Sequence, residues 1–102
     1  MANQFGGRIK QLREANHLLQ RQVATHLEID TPMLSKIERG ERKAKKAQVL
    51  ILSKVFSADS KELLTLWLAD QVVDMVKDEE NALQAMMVAE EQIKYSKTKT
   101  KK

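Results

Sequence analysis

The chain of 102 residues has no cysteine, so disulfides and thiolate-held metals are excluded. It has one proline and three glycines, too few for a turn-rich β architecture. Four aromatic residues point the same way, towards helices packed through aliphatic side chains. No apolar run approaches the roughly 20 residues that span a bilayer, and no secretory signal opens the chain. A cytoplasmic protein without a membrane segment is the expectation. The Gly-rich phosphate loops, metal-ligand clusters and Ser/His/Asp sets that mark enzymes are missing too. His17 and His26 have no ligand-like spacing and read as surface residues. No enzymatic activity, metal or cofactor is expected.

What is present is charge, unevenly spread. Residues 1–56 hold 11 Lys/Arg against 5 Asp/Glu, a net of +6. Residues 57–95 hold 3 against 9, a net of −6. Four lysines in the last seven residues restore the total to +4. A basic half and an acidic half imply two tasks on one chain.

The basic half contains Gln20 to Gly40, QRQVATHLEIDTPMLSKIERG. Val23, Ala24 and Leu27 recur at helical spacing, followed by a second run through Ile29, Leu34 and Ile37. The link between the runs is too short for an ordinary loop. Thr31 before Pro32 is pushed out of the helical region, which suits an N-cap, and Pro32 suits the first helical position. Gly40 suits the left-handed residue that ends a helix. Two helices this short need a scaffold, and they leave one face outward.

These residues, Val23-Ala24, Leu27, Ile29 and Leu34 through Gly40, resemble the XRE family of DNA-binding domains, which includes the phage lambda repressor and Cro. The likeness spans about Gly7 to Leu64. One departure is Glu28, where the family usually has glycine; a positive φ there would store strain. The resemblance implies an all-α chain: a five-helix lambda-repressor-like helix-turn-helix domain, with an extended fifth helix and an extra C-terminal helix. It implies a second helix of the motif that enters the major groove of double-stranded DNA. Thr31, Pro32, Met33, Ser35 and Lys36 would then read bases. Gln20, Arg21, Arg39, Arg42, Lys43 and Lys45 would hold phosphates. The family also pairs the arginine matching Arg13 with the glutamate matching Glu38.

Along the rest of the chain, residues 1–6 read as loose and Gly7 to Leu18 as a first amphipathic helix. Ala47 to Phe56 is a fourth helix. Asp59 with Glu62 forms a capping-box pattern that opens a fifth helix running to about Val76. Lys77 to Asn81 fits either a turn or a charged stretch of helix. Ala82 to Tyr95 is a sixth helix with near-heptad steps at Leu83, Met86 or Met87, and Ile93. Residues 96–102 contain no apolar side chain and read as a disordered basic tail. Three units are expected: a DNA-binding domain at 1–66, a helical dimerisation segment at 67–95, and the tail at 96–102.

Trp67, Val72, Val73, Val76, Leu83, Met86, Met87 and Ile93 exceed what one small domain covers, although Trp67 also fits a core. They are expected to form a homodimer interface. The expected function is a sequence-specific regulator of transcription acting as a homodimer on a palindromic operator. The alternative is an antitoxin-like or adaptor protein whose C-terminal helices bind a different protein.

Overall fold

A computed structural model describes the backbone of residues 3–100 and the side chains through Lys97. Six helices follow one another: α1 (Gln4–Ala15), α2 (Gln20–Leu27), α3 (Thr31–Glu38), α4 (Lys46–Val55), α5 (Ser60–Val76) and α6 (Ala82–Thr100). The fold is all-α, with no strand among the described residues. None of these helices is long and apolar enough to cross a membrane.

The core forms where the apolar faces of α1 to α5 meet. Ile9, Val23, Leu34, Val49, Leu52 and Leu63 lose all contact with solvent there. The 3.6-residue period explains which side chains go in. In α4 Val49, Leu52 and Ser53 are buried, as is Phe56 at its C-cap, while Leu50 and Ile51 stay exposed.

The N-terminus differs from the loose segment expected. Gln4, Phe5 and Gly6 are already helical, and Phe5 is a core residue. Two backbone donors of this first turn are claimed from far along the chain. Asp70 on α5 accepts from the Gln4 and Phe5 N–H groups at 3.0 and 2.9 Å, so a distant carboxylate does the work of an N-cap. Gly6 allows the approach of α1 to α3: a Cβ there would lie 2.6 Å from the Glu38 carbonyl oxygen.

Four helices end in the same way. His17, Glu28, Gly40 and Ser57 all take positive φ, at 57°, 57°, 78° and 51°. Each is followed by an N–H that reaches back five residues, as from Leu18 to the Arg13 carbonyl and from Ile29 to the Ala24 carbonyl. This is the Schellman closure, and three of its four left-handed positions here are not glycine.

Helix α5 is one continuous rod through the expected boundary at residues 66 and 67. Asp59 is its N-cap, but it accepts from the Lys61 N–H, and Glu62 does not reach back to complete a capping box. Glu62 instead takes Arg8 of α1, at 3.2 Å. Lys77 to Asn81 is a turn. Helix α6 then runs past Tyr95 to Thr100, so residues 96–100, expected to be disordered, continue the helix. Cations in a last turn favour this, since they oppose the negative end of the helix dipole. Lys101 and Lys102 lie outside the described residues. Between Leu83 and Lys97 every side chain is exposed.

Candidate nucleic-acid interface

The geometry of α2 and α3 is set by three residues between them. Glu28 turns the chain left-handed, Ile29 tucks against the core, and Asp30 caps α3 by accepting the Met33 N–H at 2.9 Å. The cap is therefore Asp30, one residue before the expected Thr31, and Pro32 falls at the second helical position. An aspartate side chain outcompetes the threonine because Asp30 has the extended backbone that a cap requires. Gly40 ends α3, with the Glu41 N–H on the Lys36 carbonyl at 2.9 Å.

Leu34 and Ile37 pin α3 to the core, which sends the opposite side outward. Pro32, Lys36 and Arg39 are all exposed, and their spacing of four and three puts them in one stripe. Thr31 and Ser35 flank this stripe, half-buried. Met33 is also half-buried, but it packs against the core. The structure thus brings together four of the five expected base readers and turns Met33 partly inward.

The expected phosphate contacts fall into distinct groups. Arg21, the second residue of α2, is exposed, as are Arg42 and Lys45, which follow α3 in the chain. Lys43 is exposed and lies 3.5 Å from the Gln71 side-chain oxygen. Arg39 is already engaged: Glu41 accepts from its Nε at 2.9 Å and from a terminal nitrogen at 3.1 Å, and the other terminal nitrogen donates to the Ser35 hydroxyl. The bond from Arg39 holds the Glu41 carboxyl below its ordinary range and raises Arg39 in turn. Gln20 is engaged as well, since its amide donates to Glu38 Oε1 at 3.0 Å. Any phosphate at either residue competes with a carboxylate.

Behind the stripe, Arg13 of α1 holds the last residue of α3. Its Nε and a terminal nitrogen donate to the two Glu38 oxygens at 2.7 and 3.2 Å. Its remaining nitrogen donates to the Leu18 carbonyl at 3.0 Å. Glu38, joined also by Gln20, is nearly fully buried, so the ion pair sits in a region of weak screening.

Two residues of this surface carry no signal in the sequence that singles them out. Lys10 lines an open cleft of about 510 Å³ with Gln20, Ser35 and Arg39. Its place on α1 gives no local signal, because only the packing of α1 on α3 brings it near. Glu41, the partner of Arg39, reads in the sequence only as part of a charged loop. No group of three His, Asp or Glu residues able to hold a metal occurs among the described residues.

A helix-turn-helix domain family model matches residues 4–66, which ends midway along α5. No curated protein matches the chain. Among solved structures, the restriction-modification controller protein C.AhdI from Aeromonas hydrophila is similar. It is 29% identical, and the match covers 61% of this chain and 90% of that one, with a TM-score of 0.55.

Proposed function

The chain belongs to the helix-turn-helix family, in its XRE-like, DNA-binding branch, and from that premise we propose that it regulates transcription as a homodimer on a palindromic operator. The observation that carries the reading is the stripe of Pro32, Lys36 and Arg39 on α3, with the cations of residues 42–45 immediately beyond. A helix seated in the major groove through that stripe has Lys36 for guanine O6 and N7 and Pro32 for a thymine methyl. Arg21, Arg42, Lys43 and Lys45 then serve the phosphates. The similarity to a restriction-modification controller favours operons of that kind as its targets.

The dimer rests on surface that one domain leaves uncovered. A compact monomer of 11.7 kDa exposes about 5,900 Å². This chain exposes 7529 Å², and its radius of gyration of 15.8 Å exceeds the roughly 13 Å of a compact chain this long. The excess lies on α5 beyond the family domain and on α6. Leu68, Val73, Met75, Leu83, Met87 and Ile93 are all exposed there, with Met75 and Leu83 at 77%. Val72 and Val76 are half-buried and border this surface. Trp67 is mostly used within the domain, packed on the core. A two-fold contact through residues 67–95 covers the same patch on both copies and sets two recognition helices about one DNA turn apart.

Selection from random duplexes tests the reading. Recovery of a palindrome with half-sites about 10 base pairs apart is expected; no enrichment over the starting pool would overturn it. Sedimentation at micromolar concentration should give twice the 11.7 kDa chain mass. A monomer would instead favour the antitoxin-like or adaptor reading, in which these helices hold a different protein.

A further inference from the structure

The basic segment after α3 has little backbone structure of its own. Within the described residues, Arg42, Lys43 and Ala44 enter no backbone–backbone hydrogen bond. Such a segment ordinarily samples many conformations, and each phosphate contact it makes then costs ordering entropy. Here two residues of α5 hold it. The Trp67 indole N–H donates to the Ala44 carbonyl at 2.8 Å, and the Ala44 methyl is buried beneath. One turn along the same face, Gln71 lies against Lys43 at 3.5 Å and donates to the Trp67 carbonyl at 3.3 Å. Arg42 and Lys45, which flank Lys43 and Ala44 in the chain, are both exposed.

We propose that Trp67, supported by Gln71, is a positioning residue for DNA binding: it holds the 42–45 segment so that Arg42 and Lys45 meet phosphates in register. This rests on the reading of that segment as a DNA contact. An indole gives the device two parts, a ring that packs on the core and an N–H aimed at one carbonyl. Phenylalanine keeps the first and removes the second. The position of Trp67 on α5 also explains why the clamp belongs to the helix that leaves the domain: the same rod carries the residues expected to contact a second copy.

The test uses the full chain and a random-sequence duplex, with binding followed by anisotropy over a range of salt concentrations. Trp67→Phe should bind about two- to tenfold more weakly, the equivalent of one net hydrogen bond, with a smaller salt slope. Thermal unfolding should remain cooperative with a melting temperature lower by about 4–8 °C, the loss of one net hydrogen bond, and sedimentation should match the wild type. Combined with Arg42→Ala, its effect should be less than additive, because a misplaced Arg42 has less to lose. Gln71→Ala should give a smaller change in the same direction, and it carries the comparison if Trp67→Phe does not fold. Equal affinity and salt slope in the folded variant, or full additivity with Arg42→Ala, would overturn the positioning role while leaving DNA binding intact. Failure of the wild type to bind duplex at low salt would remove the DNA-binding reading and this inference together.

Discussion

Arg13 and Glu38 meet through two hydrogen bonds, at 2.7 and 3.2 Å, joining α1 to the last residue of α3. All the donors around Glu38 are supplied by groups that also shape the motif: Arg13 reaches the Leu18 carbonyl, and Gln20 begins α2. The carboxylate therefore sets the relative position of three helices at once. Arg13 is raised by its bond to Glu38. A raised base loses its stabilising effect only as pH climbs past its unfolded value, far above physiological pH, so Arg13 contributes no pH dependence near neutrality.

Removing Glu38 should leave a largely buried guanidinium without its partner. Glu38→Ala is expected to cost about 3–5 kcal/mol, a large share of a small domain's stability. Glu38→Gln should cost less, because an amide still accepts from Arg13. Urea unfolding measures both, and a loss under about 1 kcal/mol for the alanine variant would show the pair to be dispensable.

Glu28 occupies the left-handed region at φ 57°, ψ 41°. An L residue with a long side chain costs about 1 kcal/mol there, and glycine relieves it. Glu28→Gly should raise the melting temperature by about 4 °C, partly offset by the entropy of the unfolded chain. Gly40→Ala should do the opposite, since its φ is +78° and its Cβ would press on the Asn3 side chain. A lower melting temperature for Glu28→Gly would show that Glu28 makes a compensating contact.

Lys36 and Arg42 should differ in kind. Lys36→Ala is expected to cost roughly 1–3 kcal/mol of operator affinity and to relax preference at one position in each half-site. Arg42→Ala should weaken all sequences alike and lower the salt slope by about one unit. Competition between selected and random duplexes separates the two. Unchanged affinity and preference in Lys36→Ala would assign base reading elsewhere.

Glu41 restrains Arg39. Glu41→Gln should free that guanidinium for a phosphate, raising affinity for any duplex about threefold and steepening the salt slope by up to one unit. Because Glu41 is held below its ordinary range by Arg39, the contact persists above the usual carboxylate pKa and weakens only as pH falls well below it. The affinity of Glu41→Gln measured near neutrality thus reports the full effect. A decrease would mean that Glu41 orders Arg39 for binding instead of withholding it.

Removing residues 77–102 takes away α6 and the turn before it, while the core residues all lie upstream. Helical content of residues 4–76 and cooperative unfolding should survive, with dimerisation and operator affinity falling together. Sedimentation and binding on the same preparation check this. A truncated chain that still dimerises would place the interface on α5 alone.

Several elements are legible in the sequence because their signals are local. Val23, Ala24 and Leu27 fall on one helical face, and Gly40 stands where only a left-handed residue closes the turn. The lack of breakers from Ser60 to Val76 allows one long helix, which is what forms. Where the sequence misleads, a distant partner intervenes. The segment before Gly7 reads as loose, yet Phe5 anchors in the core and Asp70 captures the N–H groups of Gln4 and Phe5. Glu62 looks like a capping residue, and Arg8 takes it.

The sequence alone determined the helical class, the position of the helix-turn-helix, and the division into a basic and an acidic half. Each depends on spacing within one or two helical turns, or on composition, and so requires no knowledge of the fold. Only the tertiary structure decided which polar groups find each other: Arg39 with Glu41, Gln20 with Glu38, and Trp67 with the Ala44 carbonyl. It also decided that His17, Glu28 and Ser57 turn left-handed without glycine. The reason is the same in both cases. A salt bridge or a strained turn is a local choice among near-equal options, and the packing of helices that bury a common core selects one of them.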